Sequence, residues 1–272
     1  MNVRNDTLAT SVCKIELVVE IQPSQDMDRQ HILLLGATGA SGLAFLDAYS
    51  ESAQKPKLTL YIRPRSTSKL PQWATNKSGI RIVEGNLDDE QALRTALSAS
   101  QDQSFPAVTT IISFLGAYLS LQAVFTRDQS HPIADTFQRA ILPAMKDCKV
   151  SRILVLSTPT AFSLPDEQKK MSWKWWFYTM IPLLLAPQGN AEMKGIAEAV
   201  VKAGAADDKL DWTVFRVPHL TDDNPHAKVI AGSLDRPFEG GTDLSRGSLV
   251  RWVLGEVEEK NWVRRAPLLG NA

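Results

Sequence analysis

The chain has 272 residues, 44% of them hydrophobic and 22% charged, enough for one large α/β unit with a sizeable core. Lys plus Arg is 30 and Asp plus Glu is 30, so the formal net charge is zero and the basic excess of a nucleic-acid binder is missing. The two cysteines, Cys13 and Cys148, are too few for a disulfide framework or a zinc site, and no metal is expected.

Residues 1–29 read as a peripheral extension. Ile15–Ile21 has strand character, and Pro23-Ser24-Gln25-Asp26 breaks it. Leu17-Val18-Val19 is its only apolar stretch, too short for a signal h-region, so a cytoplasmic location is the default expectation. From residue 30 to 272 the pattern is that of a single unit in which short apolar runs alternate with helical segments. Strands are expected at 31–35, 58–62, 80–83, 108–112, 152–156 and 212–215. Helices are expected at 41–53, from Asp88 through Leu97, from Pro132 to about Cys148, at 190–203 and at 245–258. That alternation indicates βαβ units and a parallel, doubly wound sheet. Segments 159–188 and 218–272 break it and would form a small substrate lobe. Trp173 to Pro187 is the most apolar stretch. It falls short of the ~20 residues a membrane span needs, and Lys174 and Pro182 interrupt it.

Between the first strand and the first helix stands Gly36-Ala37-Thr38-Gly39-Ala40-Ser41-Gly42. In a dinucleotide-binding loop the first glycine permits a tight turn, the second lets backbone approach the pyrophosphate, and the third lets helix pack on strand. The helix N-terminus then offers unpaired N–H groups and its positive dipole end, and Thr38 and Ser41 add hydroxyl donors. NAD-preferring sites place an acid at the end of the second strand for the ribose 2′-OH. Here that end reads Ile62-Arg63-Pro64-Arg65-Ser66-Thr67-Ser68-Lys69, with no acid. Arg63 can stack on adenine and pair with a 2′-phosphate, with Arg65 or Lys69 adding charge. The expected cofactor is therefore NADP(H).

These features, with four more motifs, resemble the atypical short-chain dehydrogenase/reductases, specifically the NmrA-like or NAD(P)H-binding group in a fungal-type form. Gly85-Asn86-Leu87-Asp88-Asp89 resembles the group's G-D-x-x-D turn, with Asn86 in place of the usual Asp. Ser113-Phe114-Leu115-Gly116 resembles the turn under the nicotinamide ribose. Val150 to Ser157 resembles the fifth strand, and Leu210 to Pro218 the sixth. The likeness also extends to Leu244–Val250 and Trp262–Pro267. It implies a Rossmann fold over about residues 30–270, with Asn86, Leu87, Leu115 and Gly116 beside the cofactor.

The same families place a Tyr four residues before a Lys on one helix face, the Tyr serving as general acid. Lys194 stands where that Lys would be, but Asn190 stands where the Tyr would be. An amide donates a hydrogen bond and cannot exchange a proton near pH 7. Lys194 thus carries over as ribose ligand and candidate acid, while the Tyr mechanism does not. Ser157 and Thr158 follow the fifth strand and His219 the sixth, where ligands of parallel sheets bind. Lys194, Ser157 and His219 are the candidate catalytic residues, and Tyr178 is a further candidate acid. Trp173, Trp175, Trp176, Phe177 and Tyr178 form an aromatic cluster, read as a pocket wall, with Trp173, Trp176 and Tyr178 expected to bind the substrate. The expectation is an NADPH-dependent oxidoreductase, monomer or homodimer, acting on a hydrophobic, aromatic or polycyclic small molecule; secondary metabolism is one setting it would fit. A non-enzymatic NADP(H) sensor with a protein partner, or an isomerase or dehydratase, is the alternative.

Overall fold

His31–Leu35 (β1) sends its side chains alternately into two cores. Leu33 and Leu35 belong to one and Ile32 and Leu34 to the other, so the strand is buried on both faces as its unbroken apolar run requires. The computed structural model describes residues 30–53, 55–116, 130–161, 167, 171–234 and 236–272. The N-terminal extension and Cys13 lie outside the described residues.

After β1 come helix α1 (Ala40–Glu51), β2 (Lys57–Ile62), a short helix α2 (Gln72–Thr75), β3 (Ile80–Glu84), α3 (Glu90–Leu97) and β4 (Thr110–Ser113). Pro132–Thr136, Phe137–Ile141 and Leu142–Asp147 then run on as one helix, α4. Its middle stretch is π-helical. Pro143 explains this: a proline ring clashes with the carbonyl four residues back, and widening the preceding turn relieves the clash. Next follow β5 (Arg152–Ser157), α5 (Trp173–Leu185), α6 (Pro187–Ala206), β6 (Asp211–Arg216), β7 (His219–Thr221), β8 (Val229–Gly232), β9 (Asp243–Ser245), α7 (Arg246–Glu259) and β10 (Leu268–Asn271).

Among the described residues the main sheet has eight strands in the order β3-β2-β1-β4-β5-β6-β10-β8, parallel except where β8 runs against β10. Helices α3, α4 and α6 cover one face through Leu93, Phe137, Ile196 and Val200, and α1 and α7 cover the other through Phe45, Leu46, Leu249 and Val253. This is the doubly wound Rossmann-type architecture that the alternation predicts. Strand order reverses between β1 and β4, and ligands of such sheets bind in the crevice at that switch point.

Three elements depart from expectation. The fourth strand pairs over Thr110–Ser113 rather than 108–112, because the Val108 N–H caps back to the Leu97 carbonyl instead of joining the ladder. The sixth helix begins at Pro187, whose missing N–H suits the first helical position, so it is longer than the 190–203 expected. The 159–188 insertion contains a helix, and the tail contains four short strands, two of which extend the main sheet and two of which pair with each other.

Two buried ion pairs fasten this frame. At the amino edge Arg152 meets Glu256 of α7 at 2.8 Å, and that carboxylate also accepts from the Trp262 N–H at 3.0 Å. At the carboxyl edge Arg216, the last residue of β6, donates to both Glu167 oxygens at 3.0 and 2.7 Å, with both side chains fully buried. Glu167 further accepts from Ser233 Oγ at 3.2 Å. This pair ties the connection after β5 to the sheet edge and to the lobe beyond β8.

Candidate functional site

The three loop glycines differ in what surrounds them. Gly36 has φ +81°, and a Cβ there would come within 3.0 Å of the Phe114 backbone, so the β1 and β4 turns touch at this point. A Cβ at Gly42 would lie 2.2 Å from the Gly36 carbonyl oxygen and 2.7 Å from Ala37 backbone, which is the close helix–strand packing that requires glycine. Gly39 is different: its Cβ would meet only the Gly36 oxygen, at 3.4 Å, and otherwise open space. Gly39 is also the N-cap of α1, with no side-chain cap and no acid in the first turn. The Gly39 N–H is turned back to the Gly36 carbonyl at 3.0 Å, which shapes the loop. The first-turn N–H groups after it, Ala40 to Gly42, have no intrahelical acceptors. An uncapped helix start behind an open glycine fits an anionic phosphate. Thr38 is half-buried, Ala40 is exposed and Ser41 is buried at this start.

At the adenine end, Arg63-Pro64-Arg65-Ser66 is a tight turn closed by Ser66 N–H to the Arg63 carbonyl at 3.1 Å. Pro64 takes the second position and Arg65 the third, at φ +64°, where a type II turn favours glycine. Arg63, Arg65 and Lys69 are exposed. Glu84, the last residue of β3, lies in register beside Ile62 and accepts a hydrogen bond from Thr67 Oγ1 at 2.6 Å. Sequence reasoning missed this acid because it arrives through strand pairing and not along the chain; its alternating position in the third strand was the one signal available. Gly85 packs where a Cβ would collide with the Tyr61 hydroxyl, and that hydroxyl donates to the Asn86 carbonyl at 2.6 Å. The Asn86 side chain is exposed and Leu87 half-buried, while Asp89 serves as the N-cap of α3.

Towards the other half of the crevice, Leu115 N–H donates to Ser113 Oγ at 3.3 Å, and Gly116 faces Met193 of α6. Ser157 Oγ donates to the Met193 carbonyl at 2.9 Å, so its hydroxyl anchors helix α6 to β5. The next hydroxyl, Thr158 Oγ1, is buried without a hydrogen-bond partner among the described residues. Asn190 is buried too, and Thr160 Oγ1 donates to its Oδ1 at 2.5 Å. The position that would hold a tyrosine thus holds an amide pinned by a threonine. Lys194 is half exposed and lies 3.6 Å from Glu198 along its own helix.

The remaining expected residues make their hydrogen bonds with other partners. His219 lies in β7 with its side chain largely exposed and its Nδ1 3.0 Å from Asp243. Tyr178 Oη donates to the Thr242 carbonyl at 2.9 Å, next to that pair. Burial pushes the Tyr178 phenol up, the His219 backbone N–H lowers it and the Asp243 charge raises it again. Trp175, not its neighbours, is the buried tryptophan, stacked edge-on with Tyr178 and Phe238. Trp173 and Trp176 stand on the opposite face of α5 from Tyr178, 83% and 53% exposed. They are therefore not gathered with Tyr178 in one wall, because the helix period separates them.

A family model for NAD(P)H-binding proteins matches residues 36–260, from the first loop glycine to the end of α7. The chain belongs to the NAD(P)H-binding family. Among solved structures, a short-chain dehydrogenase/reductase from Veillonella parvula in complex with NADP is 15% identical, with a TM-score of 0.60 over 89% of this chain and 94% of that one. The anaerobillin reductase ChuY from Escherichia coli O157:H7 is 16% identical, with a TM-score of 0.57 over 89% and 97%. A protein described as an NAD-dependent epimerase/dehydratase from Bacillus halodurans is 12% identical, with a TM-score of 0.58 over 89% and 94%. At these identities the likeness establishes a shared Rossmann fold. No curated protein matches the chain. Among the described residues no helix is long and apolar enough to cross a membrane.

Proposed function

We propose that the chain is an NADPH-dependent oxidoreductase, an NmrA-like member of its family, acting on a hydrophobic substrate through an oxygen that it polarises with uncharged groups. The observation that carries the cofactor half is the loop: space is closed behind Gly36 and Gly42 and open in front of Gly39, at an uncapped helix start on the switch point. Arg63, exposed in the turn after β2, would pair with the 2′-phosphate. Glu84 sits at the same corner, and Thr67 holds one oxygen of its carboxylate.

The bound cofactor would supply hydride chemistry at C4 of its nicotinamide ring. The chain's own part is to position and polarise. Thr158, a buried hydroxyl with no partner among the described residues, is the group best placed to donate to a substrate oxygen. Thr160 holds Asn190 by its carbonyl oxygen, which leaves the amide N–H groups as a second uncharged donor. Such donors stabilise developing negative charge without exchanging a proton. Lys194 would hold the ribose after turning from Glu198, and Tyr178 and Trp175 would line the inner side of the lobe. Steady-state NADPH oxidation by the full chain against a panel of hydrophobic carbonyls and enones tests the reading. Turnover supports it, and tight NADPH binding with no turnover on any member favours the second reading, a redox sensor. That second reading draws on Asn190 at the tyrosine position and on Lys194 facing Glu198.

A further inference from the structure

Every exposed large hydrophobic among the described residues lies on one helix: Trp173 at 83%, Trp176 at 53%, Phe177 at 64% and Leu184 at 66%, all in α5. With half-buried Met180 they stand three or four residues apart, the adjacent Trp176 and Phe177 flanking the line, which places them on a single stripe running roughly 16 Å along the helix. The opposite face, Trp175, Tyr178 and Thr179, is already packed against the lobe. A stripe at this spacing is the geometry that packs one helix on another.

We propose that this stripe is a homodimer interface in which α5 of one protomer packs antiparallel on α5 of its partner about a twofold axis. Two features select a second copy. The first is area. Large aromatics bury 150–250 Å² when covered, so the exposed fractions of these four side chains amount to about 500 Å² per copy and about 1,000 Å² for the pair, near the lower end of specific interfaces. The second is charge. The helix has one charged residue, Lys174, and it sits in the first turn, at the positive end of its own dipole. An antiparallel partner brings its carbonyl-rich C-terminal end to that lysine, so each copy supplies what the other lacks. The chain's zero formal charge sets no long-range repulsion between copies. The inference is independent of the cofactor and of the reaction.

Sedimentation velocity of the full chain from low to high micromolar concentration tests it. A concentration-dependent dimer is expected. The double variant Phe177→Ser, Leu184→Ser changes only exposed side chains and should sediment as a monomer with an unchanged circular dichroism spectrum and unchanged NADPH affinity. Lys174→Glu gives an orientation-specific signature: an acid suits its own helix start, so the monomer should melt no lower, while the affinity of the dimer falls about tenfold. A wild-type chain that stays monomeric throughout overturns the proposal. So does a dimer that survives the double variant, since another surface then makes it. A monomer that co-sediments with vesicles of phosphatidylcholine and phosphatidylserine overturns it in favour of a lipid surface.

Discussion

Replacing Gly39 by Val and Gly42 by Ala should separate ligand binding from folding within one loop. At Gly42 the new methyl would lie 2.2 Å from the Gly36 oxygen and 2.7 Å from Ala37 backbone, so α1 must move away from β1. Overpacking against backbone costs about 1–3 kcal/mol and more where the backbone cannot yield; both contacts here are backbone, so about 3 kcal/mol is expected. At Gly39 the backbone φ is −86°, which any residue adopts, and the single neighbour lies at 3.4 Å. The only folding cost is exchange of a favourable N-cap residue for an unfavourable one, about 1 kcal/mol. The isopropyl group instead fills the space in front of the first-turn N–H groups, where the pyrophosphate would lie. NADPH affinity should fall at least about a hundredfold, the ~3 kcal/mol of a few lost charge-assisted hydrogen bonds. Urea unfolding followed by circular dichroism gives the first quantity, and NADPH fluorescence titration the second. A Gly39→Val protein that binds NADPH as the wild type does would refute the loop's role. A Gly42→Ala protein of unchanged stability would refute the packing argument.

Thr158→Val should leave stability unchanged or raised, because it removes a buried hydroxyl that has no partner among the described residues, yet lower kcat ten- to a hundredfold with KM for NADPH unchanged; unchanged kcat would remove Thr158 from the site. Ser157→Ala should instead cost about 1 kcal/mol of stability through its lost bond to Met193, as read by urea midpoints. Lys194→Ala should lower both cofactor affinity and turnover, whereas His219→Ala, at an exposed side chain paired with Asp243, should leave kcat and NADPH affinity within about twofold of the wild type, as steady-state kinetics would show. His31, whose ring nitrogens meet the Pro106 carbonyl at 2.6 Å and Thr59 Oγ1 at 2.7 Å, is held by burial down to about 4, against a smaller raising effect of the Pro106 bond. The unfolded chain, with histidine near ~6.5, takes up the proton first, so the stability His31 contributes above pH 6.5 is lost as pH falls towards 4. Between pH 7 and pH 5 that amounts to about 2 kcal/mol, and a His31→Gln variant should show a correspondingly flatter pH dependence of its urea midpoint.

The strands and the glycine loop were legible because their signals are local. An unbroken apolar run followed by glycine marks β1, and three glycines at fixed spacing mark the loop, where Gly36 takes a positive φ, Gly39 leaves open space and Gly42 admits no Cβ. The edges of β4 were not, since Val108 and Thr109 are as good strand formers as the residues after them, and only a long-range cap to Leu97 removes Val108 from the ladder. Helix α5 escaped because it is apolar on both faces and so shows little amphipathic contrast. The same property hid the direction of Trp173 and Trp176, which a twofold-exposed, twofold-packed helix reveals only in three dimensions. In the site, Lys194 and Asn190 could be placed by spacing, but the Thr160 bond to Asn190, the Glu84 bond to Thr67 and the Arg216–Glu167 pair join residues far apart in the chain. No periodicity encodes such pairings. Ser157 and Thr158 were indistinguishable in the sequence; the fold assigns one hydroxyl to Met193 and leaves the other without a partner among the described residues.

The central claim, that the switch-point loop and the Arg63 turn together form an NADPH site, is tested most directly by isothermal titration of the full chain with NADPH and NADH side by side, in wild type and Arg63→Ala. The account predicts that NADPH binds at least about tenfold more tightly than NADH, and that Arg63→Ala removes most of that preference by weakening NADPH about 1–3 kcal/mol while NADH barely changes. Equal or tighter binding of NADH to the wild-type chain, or heat from neither nucleotide, would contradict it.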